Sequence, residues 1–403
     1  AWSVTAGHST KGQIVYVSGE PGTPGHVYRV ERYARAARDL GHPVAIVSLR
    51  ELEPAWWRAH APHPAAVVIW RAAWCGPLEQ AVAEWRRAGS RILFDVDDYM
   101  FDPGIARAEI IDGIRSQRIP ERDVVAHYDL IRTTLSWSDE ALAPTGRLAA
   151  GMQALGKPAI VLHNGFDEET YRASREAVLR RRREPSDGLV RIGYAAGTRT
   201  HQRDFAAAVA AVADVLRGHP EARLVLFRTA EGHDTLDPGE FPELDGVRGQ
   251  IEWRTTVPLD RLPEELARFD VNLAPLEVGN IYCEAKSQHK YFEAALVDVP
   301  TIASRRSPTA TRSATARPAS WRAIRSRGGS TCGRSSATGP CGPAWGVRPC
   351  GTCSTATVPT AGGSGWPPPW AACSARRRSG RRRSGRNSCS RAAARSCRRC
   401  RAW

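Results

Sequence analysis

QIVYVSGEPGTPG, residues 13–25, is a run of β-branched and aromatic residues that empties into a turn of three glycines and two prolines. Gln13–Ser18 reads as a buried strand. The chain then opens a helix from about His26 to Leu40. A strand–glycine turn–helix unit is the start of a wound α/β sheet, and its turn lets a ligand approach the backbone and the helix N-terminus. The spacing is not that of the dinucleotide-binding glycine fingerprint, and no acidic residue closes the second strand, Pro43–Ser48. A ligand loop and a simple strand–helix turn both remain open for Gly22 and Gly25.

The same alternation continues outward. Ala65–Trp70 and Arg91–Asp95 read as strands with a helix, Pro77–Arg87, between them. Val124–Trp137 reads as a helix and Ala159–His163 as a short strand. A polar stretch, Arg175–Gly188, forms a short helix and linker. A second series then begins: strands Val190–Tyr194, Ala222–Phe227, Ile251–Arg254, Val271–Ala274 and the start of one at Thr301–Ala303. Helices Phe205–Arg217, Leu262–Arg268 and Ser287–Leu296 alternate with them. The expected fold class is α/β, with two tandem Rossmann-like doubly wound domains and a cleft between them. The expected divisions are an N-terminal extension over 1–12, a first domain over 13–170, a linker over 171–187, a second domain over 188–304 and a tail over 305–403.

Composition breaks at Ser304. Residues 305–403 hold 21 Arg and eight of the ten Cys, with no Lys, Asp, Glu or His. The first 304 residues hold 36 basic and 42 acidic residues, a net of −6, so the formal +15 of the chain lies wholly in the tail. Such a tail, poor in apolar periodicity, is what GC-rich codons yield out of frame. Back-translating Ser307–Arg325 and shifting by one position yields PYGDAIRDGETGFLAGDP, a balanced, turn-containing string. The expectation is an ill-packed or disordered tail produced by a frame slip, which leaves the chain poorly active. A genuine Arg-rich arm for nucleic acid or a membrane is the competing reading. Only Cys75 and Cys283 precede the break, so no disulfide framework or zinc spacing is present there. Cys350–Cys353 and Cys397–Cys400 have metal-like spacing within the tail, where codon accident explains them. No run of 18 apolar residues and no signal-peptide core occurs, so a cytoplasmic location is expected, with an upstream piece missing before Ala1.

Two further stretches carry chemistry. Gly193–Asp204 follows a strand and precedes a helix. Gly197 leaves space there, and Arg199, His201 and Arg203 offer positive donors at a helix start, which suits a diphosphate; a solvated turn is the alternative. In Ala285–Leu296, with Ser287 as the cap, Lys286, Lys290 and Glu293 fall at i, i+4 and i+7 on one helix face. Two ammonium groups attract phosphate, and a carboxylate one turn further in accepts both hydroxyls of a ribose. A plain Lys–Glu surface pair is the alternative.

In order, Gly22–Gly25, Phe94–Asp98, His163–Asp167, Ile192–Thr198 with His201 and Asp204, Asp270–Leu276, and Lys286, Lys290 and Glu293 followed by Val299–Ser304 resemble a retaining glycosyltransferase of family 4 with the GT-B fold. The resemblance spans about Gln13 to Ser304. It implies a nucleotide-diphosphate sugar bound mainly by the second domain. Gly197, Arg199, His201, Arg203, Lys286, Ser287 and Lys290 would lie on the diphosphate side, Glu293 on the ribose, and Lys290 and Glu293 would be the catalytic pair. Gly22, Gly25, Asp97 and Asp98 would face a saccharide or lipid-linked acceptor in the cleft. It implies no cofactor and no metal; Asp95-Val-Asp97 only has the spacing of a metal-binding DxD. The family's first glutamate is out of register: Ala285 stands in its place, with Glu284 beside it. Bacterial surface polysaccharide synthesis at the inner membrane face, with no nucleic-acid partner, is the expectation. A nucleotide-sugar epimerase, a non-catalytic nucleotide-sugar-binding module and, on the tail alone, a nucleic-acid-binding protein are the rivals.

Overall fold

The structure, a computed structural model, describes residues 11–304 and the backbone of 321–324. The expectations for the rest of the tail, including its frame and its cysteine pairs, and for residues 1–10 fall outside the described residues. Two six-stranded sheets are found among the described residues. The first takes β1 (Ile14–Ser18), β2 (Val44–Ser48), β3 (Ala66–Trp70), β4 (Arg91–Asp95), β5 (Glu140–Ala143) and β6 (Ala159–Val161) in the spatial order 2-1-3-4-5-6, all parallel. The second takes β7 (Val190–Gly193), β8 (Ala222–Arg228), β9 (Ile251–Thr255), β10 (Val271–Ala274), β11 (Thr301–Ser304) and β12 (Trp321–Ile324) in the order 12-11-10-7-8-9. Within the expected tail, β12 adds a strand antiparallel to β11.

The connecting helices in the first half are α1 (Pro24–His26), α2 (Arg32–Asp39), α3 (Pro54–His60), α4 (Gly76–Arg87), α5 (Asp112–Gln117), α6 (Glu121–Trp137) and α7 (Gly146–Ala154). A wider, π-type turn at Val27–Glu31 joins α1 to α2. The second half carries α8 (Glu168–Arg181), α9 (Gln202–Gly218), α10 (Leu262–Leu266), α11 (Ile281–Ala285) and α12 (His289–Leu296). Parallel strands covered on both faces need continuous apolar runs. Val15, Val17, Val67, Ile69 and Ile92 supply one in the first half, and Leu224, Val225 and Leu226 another in the second, all at most 1 % exposed.

Three differences from the sequence reading have local causes. β5 is only EALA, too short and too small to stand out, yet it pairs with both β4 and β6. Residues 171–181, expected in the linker, belong to α8: Asp167 caps it by accepting from the Thr170 amide at 2.9 Å. Its Ala177 and Val178 pack against Val225, Phe227 and Leu266 of the second half. The single helix expected from Ser287 is two helices, because Lys286 is extended at φ −59°, ψ 148°. No helix among the described residues is long and apolar enough to cross a membrane.

Strand order reverses between β1 and β3 in one sheet and between β7 and β10 in the other. At such reversals the loops leaving neighbouring strands splay apart and form a crevice at the carboxyl ends. The candidate residues follow β1, β4 and β7, or lie between β10 and β11 on the turn before α12 and on α12 itself.

Candidate functional site

The α12 helix is tied to its sheet by Asn272, a buried residue of β10. Its side-chain amide donates to the Lys290 carbonyl at 2.9 Å and to Thr301 Oγ1 at 3.1 Å. That anchor fixes where the side chains of the helix reach. Lys290 Nζ donates to the Ala195 carbonyl at 2.6 Å and lies 5.1 Å from the centre of the Tyr194 ring, against the loop leaving β7. Burial, and after it repulsion from Lys286, pushes the Lys290 ammonium down to about 8; Asp204 and Glu293 pull the other way. Three residues on, Glu293 Oε1 accepts from the Tyr28 hydroxyl of the first half. Lys290 and Glu293 thus flank the meeting of the two halves, each toward a different wall.

Lys286 does not share their helix face, which corrects the expected i, i+4, i+7 alignment. It sits on the turn between α11 and α12. Its ammonium lies 2.8 Å from Asp204 Oδ2 and 3.2 Å from His201 Nδ1. His201 Nδ1 is 2.9 Å from the same Asp204 oxygen. Burial, then the charge of Lys286, pushes His201 down to about 4, against the Asp204 hydrogen bond. Burial disfavours the Asp204 charge, yet the His201 hydrogen bond and Lys286 hold its carboxyl well below the usual range. Asp204 Oδ1 accepts from the Glu277 amide at 3.0 Å, which locks the loop after β10 to α9. Ser287 is not a helix cap: its hydroxyl accepts from Asn164 Nδ2 at 3.1 Å and lies 2.9 Å from His289 Nδ1.

The start of α9 differs from the expected diphosphate cradle. Asp112, at the first turn of α5, places Oδ2 at 2.6 Å from the Gln202 amide and 3.1 Å from the Arg203 amide. A first-half carboxylate therefore occupies that helix N-terminus, satisfying donors that an anion would otherwise take. Arg199 turns to Asp237 (2.7 Å) and Glu240 (3.2 Å), and Arg203 to the Glu109 carbonyl (2.5 Å). Both guanidinium groups bond structural partners, while the buried Arg199 Nε has no hydrogen-bond partner among the described residues. Gly197 is exposed, with open space where a side chain would stand.

On the first-half wall, Gly22 has φ +76° and open space around it, so it shapes the turn. Gly25 is confined: an added Cβ would lie 2.9 Å from the Trp70 ring and 3.2 Å from Asp97 Oδ2. Asp97 and Asp98 share one cation. Arg71 donates to Asp97 Oδ1 at 2.6 Å, to Asp98 Oδ2 at 2.5 Å and to Glu20 Oε2 at 3.0 Å; the Trp70 indole adds a 3.2 Å bond to Asp97. Asp95, the other acid of the DxD-like triplet, is paired in the interior with Arg29 at 2.9–3.2 Å.

Sequence reasoning missed Tyr28, Arg29, Arg71, Asp112 and His289. Arg29 had a signal, a charge inside an apolar helical stripe, Tyr28-Arg29-Val30 to Ala34, which calls for a buried acid. Tyr28, Asp112 and His289 meet partners more than 70 residues away in sequence, and Arg71 meets Asp97, Asp98 and Glu20 at separations of 26 to 51, which leaves no local pattern. The out-of-register first acid is resolved. Ala285 is 1 % exposed within the first-half core, and Glu284 accepts from the Gly279 amide at 3.1 Å and lies 3.8 Å from Arg147.

No family model and no curated protein matches the chain. Among solved structures it is similar to a sucrose-phosphate synthase from Thermosynechococcus elongatus, at 12% identity and TM-score 0.48 over 73% of this chain and 81% of that one. A glycosyltransferase from Rickettsia africae gives 12% identity and TM-score 0.43 over 73% and 79%. A putative UDP-N-acetylglucosamine 2-epimerase from Listeria monocytogenes gives 12% and 0.40 over 72% and 78%.

Proposed function

We propose that the chain is a GT-B-type glycosyltransferase. It moves a sugar from a nucleotide-diphosphate donor to a saccharide or lipid-linked acceptor with retention at the anomeric carbon. One observation carries the reading: on a single anchored helix, Lys290 lies against the loop leaving β7 while Glu293, one turn on, faces the first half. An ammonium near a strand-end loop suits a diphosphate, and a carboxylate at that spacing suits a ribose diol. The Asp204-held Lys286 and the neutral His201 stand on the same side as Lys290. In the transfer, the acceptor hydroxyl oxygen replaces the diphosphate oxygen on the anomeric carbon, and its proton leaves to the departing diphosphate or solvent. Charge grows on the diphosphate as its bond breaks; Lys290 supplies the counter-charge in a low-dielectric site. Arg199 and Arg203 are no longer assigned that work, and Glu293 serves without a second glutamate.

The test is release of nucleoside diphosphate from a panel of nucleotide sugars, with and without saccharide acceptors, and NMR of the product anomer. Acceptor-dependent release with retained configuration is expected, falling roughly 10²-fold in Lys290→Met. Acceptor-independent isomerisation of the free donor would replace the reading with an epimerase.

A further inference from the structure

Tyr28 is 4 % exposed and lies in the π-type turn between α1 and α2. Its ring has two close neighbours: the Arg32 guanidinium carbon stands 4.3 Å from the ring centre, and the His289 ring lies 4.1 Å away, tilted at 42°. Its hydroxyl is spent on Glu293. The same carboxylate is the group proposed above for the ribose.

His289 adds an independent observation. Its Nε2 is buried and has no hydrogen-bond partner among the described residues. A chain of donors fixes which nitrogen carries the proton. Arg29 Nη1, a donor only, bonds Asn164 Oδ1 at 3.0 Å, so Asn164 Nδ2 faces and donates to Ser287 Oγ at 3.1 Å. Ser287 Oγ has no other hydrogen-bond acceptor among the described residues, so its proton goes to His289 Nδ1, 2.9 Å away. Burial keeps the imidazole neutral. The proton of the ring is then on Nε2, a buried N–H with no hydrogen-bond partner among the described residues, on a ring that feels the charges of Glu293, Asp97, Arg32 and Arg29. Buried orphan donors are costly, and each calls for a partner such as a water, an ion or a ligand; Arg32 Nε and Arg199 Nε are the other two among the described residues.

We propose that Tyr28 is a latch standing in for a ligand hydroxyl: a nucleoside diphosphate that takes Glu293 displaces the phenol and exposes the His289 Nε2–H to an oxygen of the same ligand. This rests on the nucleotide reading of Glu293. The wider turn under Tyr28 suits the role, because reverting one π turn to α geometry rotates the side chains it carries.

The experiment titrates full-length wild type, Tyr28→Phe, His289→Leu and His289→Gln with UDP, GDP, ADP and dTDP by calorimetry, and records each melting temperature without nucleotide. Tyr28→Phe keeps the ring stack and loses the bond to Glu293. It should bind about tenfold tighter while melting lower, a combination that loss of structure alone does not give. His289→Leu should bind about tenfold weaker, and His289→Gln, whose amide N–H replaces Nε2–H, should recover most of that loss. Wild-type binding with Tyr28→Phe equal or weaker overturns the latch and leaves the nucleotide reading standing. Unchanged binding in His289→Leu overturns the donor role whether or not Tyr28→Phe folds. No binding by wild type or by Tyr28→Phe overturns latch and nucleotide reading together.

Discussion

At the scale of single residues, Lys290 is the group whose environment makes the sharpest claim. Its folded value, about 8, lies below the ordinary lysine range because burial and Lys286 both disfavour the charge. The unfolded chain therefore holds more protons between about pH 8 and 10, and the folded chain gains stability on that side as pH rises through the window. Anion binding runs the other way, since it needs the ammonium. Nucleoside diphosphate affinity should fall as pH rises above 8, with proton uptake on binding visible in calorimetry across buffers of different ionisation heat. Lys290→Met should bind weakly and without that pH dependence. A flat affinity from pH 7 to 9.5 in wild type would remove Lys290 from the site. What was legible in the sequence at this scale was residue type and spacing: Lys290 and Glu293 were singled out with Lys286 on an expected i, i+4, i+7 face, from which Lys286 departs. The partners were not. Asp112 reaches a helix start 90 residues away and Tyr28 a carboxylate 265 residues away, and no periodicity encodes such meetings.

At the scale of elements, the strand–turn–helix units were readable because buried parallel strands are apolar runs bounded by glycine and proline. β1, β3, β4, β8 and β10 stand where those runs are. The break between α11 and α12 was not readable. Ala-Lys-Ser-Gln continues the helical pattern, and only docking of Ala285 into the first-half core interrupts it. The turn after β1 offers a clean test of how tightly the elements constrain the crevice wall. Gly25→Ala places a methyl against Trp70 and Asp97 and should cost about 1–3 kcal/mol in urea unfolding. Gly22→Ala meets open space and should cost only the strain of its positive φ, about 1 kcal/mol. Equal costs at the two positions would mean that the Trp70–Asp97 wall yields, and that the close approach at Gly25 is not a constraint.

At the scale of the whole molecule, each sheet has one strand-order reversal, and first-half groups reach into the second half at several places, among them Tyr28 to Glu293, Asp112 to the start of α9, and Asn164 to Ser287. In the proposed function, contact between the halves and nucleotide binding compete for the Glu293 carboxylate. The composition break at Ser304 bears on this scale too. A chain with residues 305–403 restored to the shifted frame should show at least tenfold faster nucleotide release from its sugar donor than the chain as it stands; equal rates would remove the frame-slip expectation.

The proposed grip of α12 on a nucleotide is tested most directly by comparing the affinity of the best-binding nucleoside diphosphate with that of its 2′,3′-dideoxy analogue, in wild type and in Glu293→Ala. Wild type should prefer the diol by about tenfold, and Glu293→Ala should bind both alike. Equal binding of the two ligands by wild type, or a preference that survives in Glu293→Ala, would contradict the assignment of that carboxylate to the ribose.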